Sequence, residues 1–202
     1  MKKTSKALLL SLCAVLLVAA SVLGTMAYLT STDEVKNTFT VGSVAITLDE
    51  TDVDNSTTGA DRDRANSYKL LPGHTYTKDP IVHVDSTSED CYLFVKVANE
   101  ITAIEGEPTV AAQMTEKGWV AVDGAAGVYV YTQNSTPSTP AVVAGDSNVT
   151  VFDNFTISGT VDNATLATYN NKTITVTAYA IQADGFEGKT ASQIWNAAGF
   201  TN

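Results

Sequence analysis

Cysteine and histidine are scarce in this chain, with two of each among 202 residues. Cys13 lies in an apolar N-terminal run, so Cys91 would be the lone thiol of a processed protein, unable to form an internal disulfide. We interpret Cys91 as a buried core residue. His74 and His83 do not form the His-Glu-x-x-His pair of helical zinc proteases, and no Gly-x-Ser-x-Gly elbow occurs. The sequence therefore predicts no catalytic group, no cofactor and no enzyme.

Positive charge is also sparse, with 12 Lys and Arg against 22 Asp and Glu. Three of the lysines lie within the first six residues, whereas every acidic residue follows residue 27. An acidic surface repels polyanions, which disfavours nucleic acid and anionic lipid as partners.

The N-terminus has the pattern of a signal peptide. After the early lysines comes an apolar run, Ala7–Leu23, and small residues close the segment at Ala27. This order of basic, apolar and small-residue regions predicts cleavage between Ala27 and Tyr28. The chain would then divide into a signal peptide over 1–27 and a secreted domain over 28–202. The apolar run is long enough to be a retained membrane anchor instead, which would be the only membrane contact.

Long helical periodicity is missing from the remainder, and short alternating apolar segments rich in Thr replace it. That pattern is typical of an all-β sandwich or barrel. Seven segments are predicted to form about eight strands: Thr38–Leu48, Tyr76–Val84, Cys91–Val97, Trp119–Val122, Val128–Gln133, Asn148–Val161 and Lys172–Gln182. Asn148–Val161 is predicted to hold one or two of them, with a break near Asp153-Asn154. Two short peripheral helices are predicted at Val110–Lys117 and Thr190–Ala198, each followed by a glycine.

Two of these strands carry an irregularity. In Thr38–Leu48 the apolar positions change parity at Gly42-Ser43, which predicts a β-bulge there. Pro80 has no amide proton, so Tyr76–Val84 is predicted to be an edge strand or to be interrupted.

The segment Asp49–Lys69 is polar and highly charged, and we expect a mobile loop. Its carboxylates could bind Ca²⁺, which takes six to eight oxygen ligands. The weak candidate ligands are Asp49, Glu50, Asp52 and Asp54. Neither the glycine nor the glutamate of an EF-hand loop is in place, so a solvated acidic loop without metal is the preferred interpretation.

The signal junction resembles a known family. The resemblance rests on three segments: Gly24-Thr25-Met26-Ala27-Tyr28-Leu29-Thr30, Asn37-Thr38-Phe39-Thr40-Val41-Gly42-Ser43-Val44 and Leu48-Asp49-Glu50. They are similar to the TasA and camelysin family, exported Gram-positive proteins cut by a dedicated SipW-type signal peptidase. A weaker second block runs from Leu71-Pro72-Gly73 to Val97.

The resemblance implies a jelly-roll-like antiparallel sandwich, secretion, and assembly into biofilm matrix fibres, with accessory matrix proteins as further partners. It also implies that the mature N-terminal segment completes the sheet of a neighbouring copy, which would make the protein a homo-polymer. The residues of that assembly strand would be Tyr28, Leu29, Val35 and Phe39. A first strand that pairs within its own domain is the alternative.

The first functional hypothesis is therefore a secreted structural protein of the cell surface or extracellular matrix. The second is a monomeric surface adhesin or ligand-binding module that presents a solvent-facing aromatic patch. The candidate contact residues for that patch are Tyr92, Phe94, Tyr129 and Tyr131. A camelysin-like metalloprotease is a remote third option, because no matching ligand set occurs in the sequence.

Overall fold

The computed structural model describes residues 3–26, 42–133 and 139–200. The chain separates into two compact units, Met1–Thr40 and Val41–Asn202. The predicted cleavage junction and the whole predicted assembly strand lie outside the described residues: Ala27, Tyr28, Leu29, Val35 and Phe39.

The described part of the first unit is one helix, α1, Lys3–Met26. Its described side chains up to Ser21 are exposed, and the helix is long and apolar enough to cross a membrane. A signal sequence near an N-terminus has the same properties. The helix agrees with the predicted leader and with the predicted anchor alike.

The second unit is mostly β. Its strands are β1 Ile46–Thr51, β2 Arg62–Asp63, β3 Thr75–Thr77, β4 Ile81–Val84, β5 Cys91–Asn99, β6 Trp119–Ala121, β7 Val128–Tyr131, β8 Val142–Val143, β9 Asn148–Thr150, β10 Asn154–Thr156 and β11 Ile174–Gln182. Its α-helices are α2 Val110–Glu116, α3 Asn163–Ala167 and α4 Ala191–Ala197. Two of the three short α-helices described in this unit, α2 and α4, lie where the sequence predicts them. The third arises because Asp162 caps a five-residue turn, accepting from the Thr165 amide at 2.7 Å.

All strand pairs are antiparallel. One sheet has the order β2-β1-β4-β9, a second has the order β11-β5-β7-β6, and β10 pairs with β3. The main core joins the first two sheets through Val82 of β4, Val149 of β9, Leu93 and Val95 of β5, and Trp119 of β6.

The strand β5 is the centre of the unit, because both of its faces are covered. Leu93 and Val95 are fully buried in the main core. Phe94 faces a second core, where its ring centroid lies 5.5 Å from that of Trp195 on α4. Thr190 caps this helix through a capping box, as its sequence position predicts. The terminal helix therefore supplies the cover that the second face of β5 requires.

The predicted interruption at Pro80 is confirmed, since β3 ends before it and β4 begins after it. The predicted bulge is not formed: the strand begins at Ile46, and Gly42 and Ser43 lie in irregular chain. The Ser43 carbonyl accepts a hydrogen bond from the Glu89 amide of a loop instead of joining a ladder.

The prediction of an irregular loop over 49–69 is also wrong in part. The strand β1 continues to Thr51 and pairs with β2, with Glu50 opposite Asp63. The ion pairs described below hold this segment in place.

Candidate assembly groove

A groove of about 1370 Å³ runs along the second unit between β1 and β11. The segment 64–70 and the chain around α3 form its other walls. Half-buried apolar side chains line it: Ile46 and Leu48 of β1, Tyr68, Leu70, Leu166 and Tyr169, and Ile174, Val176 and Ala178 of β11. The main core leaves these three side chains of β11 only half covered.

Within residues 42–133 and 139–200, no strand pairs with the edge of β11 that faces away from β5. The Val97 amide donates to the Gly127 carbonyl, so the backbone groups of Val97 point toward β7. In an antiparallel pair, hydrogen-bonded and non-hydrogen-bonded residue pairs alternate along the strands. Ala98 and Lys96 of β5 therefore bond to Thr175 and Thr177 of β11. Val176, opposite Val97, points its amide and carbonyl away from β5. No described strand pairs with this outer edge, which runs for nine residues.

The opposite wall of the groove has a shorter free edge. The Asp85 amide donates to the Ala45 carbonyl, so by the same alternation Ile46 and Leu48 direct their backbone groups away from β4. The strand β2 covers only Glu50 and Thr51 on that side. In the part of the chain that the structure describes, these outward backbone groups of β1 and β11 have no strand partner.

An ion-pair cluster fixes the end of β1 beside the groove. Arg62 donates from Nε to Asp49 and from Nη1 to Asp79, the latter at 3.1 Å. The Nε2 atom of His83 lies 3.0 Å from Asp49 Oδ1, so this histidine contacts the same carboxylate as Arg62. Asp79 also accepts from the Thr51 amide at 2.7 Å. Arg62 and Asp79 were not predicted to have a role.

The pH dependence of stability follows from this cluster. Burial opposes ionisation of Asp49 and Asp79, but hydrogen bonds and the Arg62 charge outweigh it, so the pKa of each carboxyl lies below its ordinary 3.8. A lowered folded-state pKa gives stability that is complete above the unfolded value and is lost as the pH falls through the folded one. In urea unfolding experiments, the free energy of unfolding should therefore be lower at about pH 3 than at about pH 7. This decrease should be smaller in Asp79→Asn than in the wild type. An equal loss in both proteins would contradict this assignment.

The four weak metal candidates do not come together. Asp49 is paired with Arg62, and Glu50 with Lys78. Asp52 and Asp54 instead approach Asp63, with one carboxylate oxygen from each within 4.8 Å of the others. The prediction omitted Asp63 because the β1–β2 pairing that brings it there has no local signal in the sequence.

Backbone amides of the same loop bond to this second carboxylate group. Asp52 accepts from the Thr57 amide at 3.0 Å, and Asp54 accepts from the Ser67 amide at 2.6 Å. The cluster therefore has a structural explanation in shaping the loop.

The aromatic patch expected for a binding module is not formed by the residues proposed for it. Tyr92 and Phe94 are buried beneath α4, with exposed fractions of 5% and 0%. Tyr129 and Tyr131 are half-buried, and the Tyr131 ring lies 5.3 Å from that of Trp119. The groove between β1 and β11 is therefore the more prominent surface feature of the described residues.

No known protein family matches this chain, and comparison with curated proteins and with solved structures likewise finds no match.

Proposed function

We propose that this chain is a secreted structural protein of the extracellular matrix, and that its mature form polymerises by donating its N-terminal strand to a neighbouring copy. The fold would be a jelly-roll-like sandwich with one open seam. The observation that carries the proposal is the groove lined in part by half-buried apolar side chains, with a nine-residue strand edge along one wall that no described strand covers. Added strands gain affinity from such main-chain edges and specificity from the pockets beside them.

The incoming strand pairs with β11. Some Cα atoms of β1 and β11 lie within 8 Å of each other, whereas a strand between them would hold its two neighbours about 9.6 Å apart. One strand therefore cannot pair with both walls over their full length. Pairing with β11 alone places every second donor side chain over Ile46 and Leu48.

The chemistry of the proposed donor, 28–39, fits this groove. Leu29, Val35 and Phe39 share one parity, so in a strand they lie on one face and can enter an apolar groove. Asp33 and Glu34 supply negative charge. At the groove, Arg64 and Lys69 are exposed and have no ion-pair partner among the described residues.

Secretion provides the free N-terminus that this assembly needs. Cleavage by a dedicated SipW-type peptidase after Ala27 would release Tyr28 as the first residue. N-terminal sequencing of the secreted protein checks this directly, and a retained leader would contradict it.

Deletion of residues 28–37 tests assembly itself. Purified mature protein should form fibres in electron microscopy, and the truncated protein should remain monomeric because it has lost most of its donor. A synthetic peptide of residues 28–39 should bind the truncated protein, while a peptide of scrambled sequence should not. Fibres formed by the truncated protein, or mature protein that stays monomeric, would overturn the proposal.

A further inference from the structure

Glu50 is a buried carboxylate with two different nitrogen partners, and the assembly proposal uses neither. Only 5% of Glu50 is exposed. Its Oε2 atom accepts from Lys78 Nζ at 2.6 Å, and its Oε1 atom accepts from Asn66 Nδ2 at 3.0 Å. An amine and a carboxamide are therefore held on adjacent oxygens of one carboxyl group.

The Asn66 amide is fixed in one orientation by further contacts. Its Oδ1 atom accepts from the Val53 amide at 2.7 Å, and its Nδ2 atom also donates to the Thr51 carbonyl at 2.8 Å. A backbone N–H on the carbonyl oxygen draws electron density from Cγ and would stabilise negative charge on that oxygen. The carbonyl group is thus polarised for attack by a nucleophile.

We propose that Lys78 and Asn66 join in an intramolecular amide bond, with Glu50 carrying the protons. Glu50 takes one proton from the Lys78 ammonium, and the neutral amine attacks Cγ of Asn66. Charge builds on Oδ1, where the Val53 amide stabilises it. A proton of the attacking nitrogen passes to Nδ2, the Cγ–Nδ2 bond breaks, and ammonia leaves with the proton held by Glu50.

The step balances without a co-reactant. One C–N bond forms, one C–N bond breaks, and one ammonium ion is released, with no change of oxidation state. Proximity accelerates this reaction, because an amine and a carboxamide held close together have a large effective concentration.

The surroundings favour the bond. The Lys78 and Glu50 side chains are only 12% and 6% exposed, so little water competes with the amine. Nearby Tyr68 packs edge-to-face on Phe155, with ring centroids 5.1 Å apart, and burial together with the Glu50 charge raises the pKa of its phenol. The bond would link the loop after β2 to the segment before β4, in a domain that has no disulfide among its described residues.

Intact-mass spectrometry of the folded protein tests the proposal. The measured mass should be lower than the sequence mass by one ammonia. Tryptic digestion should give fragment 65–69 attached to fragment 70–96, because a modified Lys78 is no longer a cleavage site. A folded protein that keeps its ammonia and releases fragments 65–69, 70–78 and 79–96 separately contains an ion pair only, which overturns the proposal.

Three variants test which side chains take part in forming the amide bond. Lys78→Arg keeps the positive charge but removes the amine nucleophile, and it should restore the full sequence mass. Glu50→Gln should retain the ammonia as well, because the proton carrier is lost. Lys189→Arg, at an exposed lysine outside the groove, is the matched control and should still lose ammonia. If a variant fails to fold, the wild-type mass and digest alone decide.

Discussion

The substitution Val176→Lys is expected to abolish fibre formation by the mature protein while leaving its fold intact. Val176 lines the groove, is half-buried, and directs its backbone groups to the free edge of β11. A lysine there can extend into solvent in the monomer. In the assembled state a donated strand would cover it and would bury an unpaired charge. We expect the critical concentration for assembly to rise at least about tenfold, which corresponds to about 1.4 kcal/mol per contact.

Thr177→Lys is the matched control for that experiment. Thr177 is exposed on the opposite face of the same strand, and its backbone groups bond to β5. The control should assemble like the wild type, as measured by light scattering and electron microscopy. Circular dichroism and thermal unfolding should show that both variants are folded. Equal inhibition by both substitutions would indicate a general charge effect and would count against a specific groove.

The second large effect is expected at Trp119, where Trp119→Ala should lower the free energy of unfolding by about 3–5 kcal/mol. The side chain is fully buried in the main core. Its Nε1 atom donates to the Thr150 carbonyl at 2.9 Å. Trp119 belongs to β6 and Thr150 to β9, so this residue connects the two sheets by packing and by a hydrogen bond. Alanine would leave a cavity and an unpaired carbonyl.

Two further variants separate these contributions in urea unfolding experiments. Trp119→Phe keeps most of the ring but not the donor, and should cost about 1–3 kcal/mol for the unsatisfied carbonyl, plus part of the packing. Val120→Ala changes the next residue, which is only half-buried on the other face, and should cost less than Trp119→Ala. A Trp119→Ala protein within about 1 kcal/mol of wild type would contradict the connecting role.

Local patterns predicted the elements whose signals are short-range. Alternating apolar residues located β5 and β11, because side chains in a strand point to opposite faces in turn. The termini of α4 followed from Thr190 and Gly199, since a capping hydroxyl and a residue with positive φ mark helix ends chemically. These signals lie within a few residues of the structure that they specify.

The site could be predicted only in part, because its chemistry depends on residues distant in sequence. Arg62 bonds to Asp79, 17 positions away, and Lys78 bonds to Glu50, 28 positions away. Charge patterns do not encode such pairings, which arise from the meeting of β1, β2 and the segment before β4. The same reason explains why an acidic loop was predicted where the structure has a corner held by ion pairs and hydrogen bonds.

The unequal lengths of the sheet edges have a geometric consequence for any polymer. In the sheet of order β11-β5-β7-β6, β11 presents nine residues at one edge, whereas β6 presents three at the other. A short edge offers few positions for a second chain. Strand donation through the β11 edge would therefore give each filament two chemically distinct ends, one with a vacant groove and the other with an unused N-terminal segment.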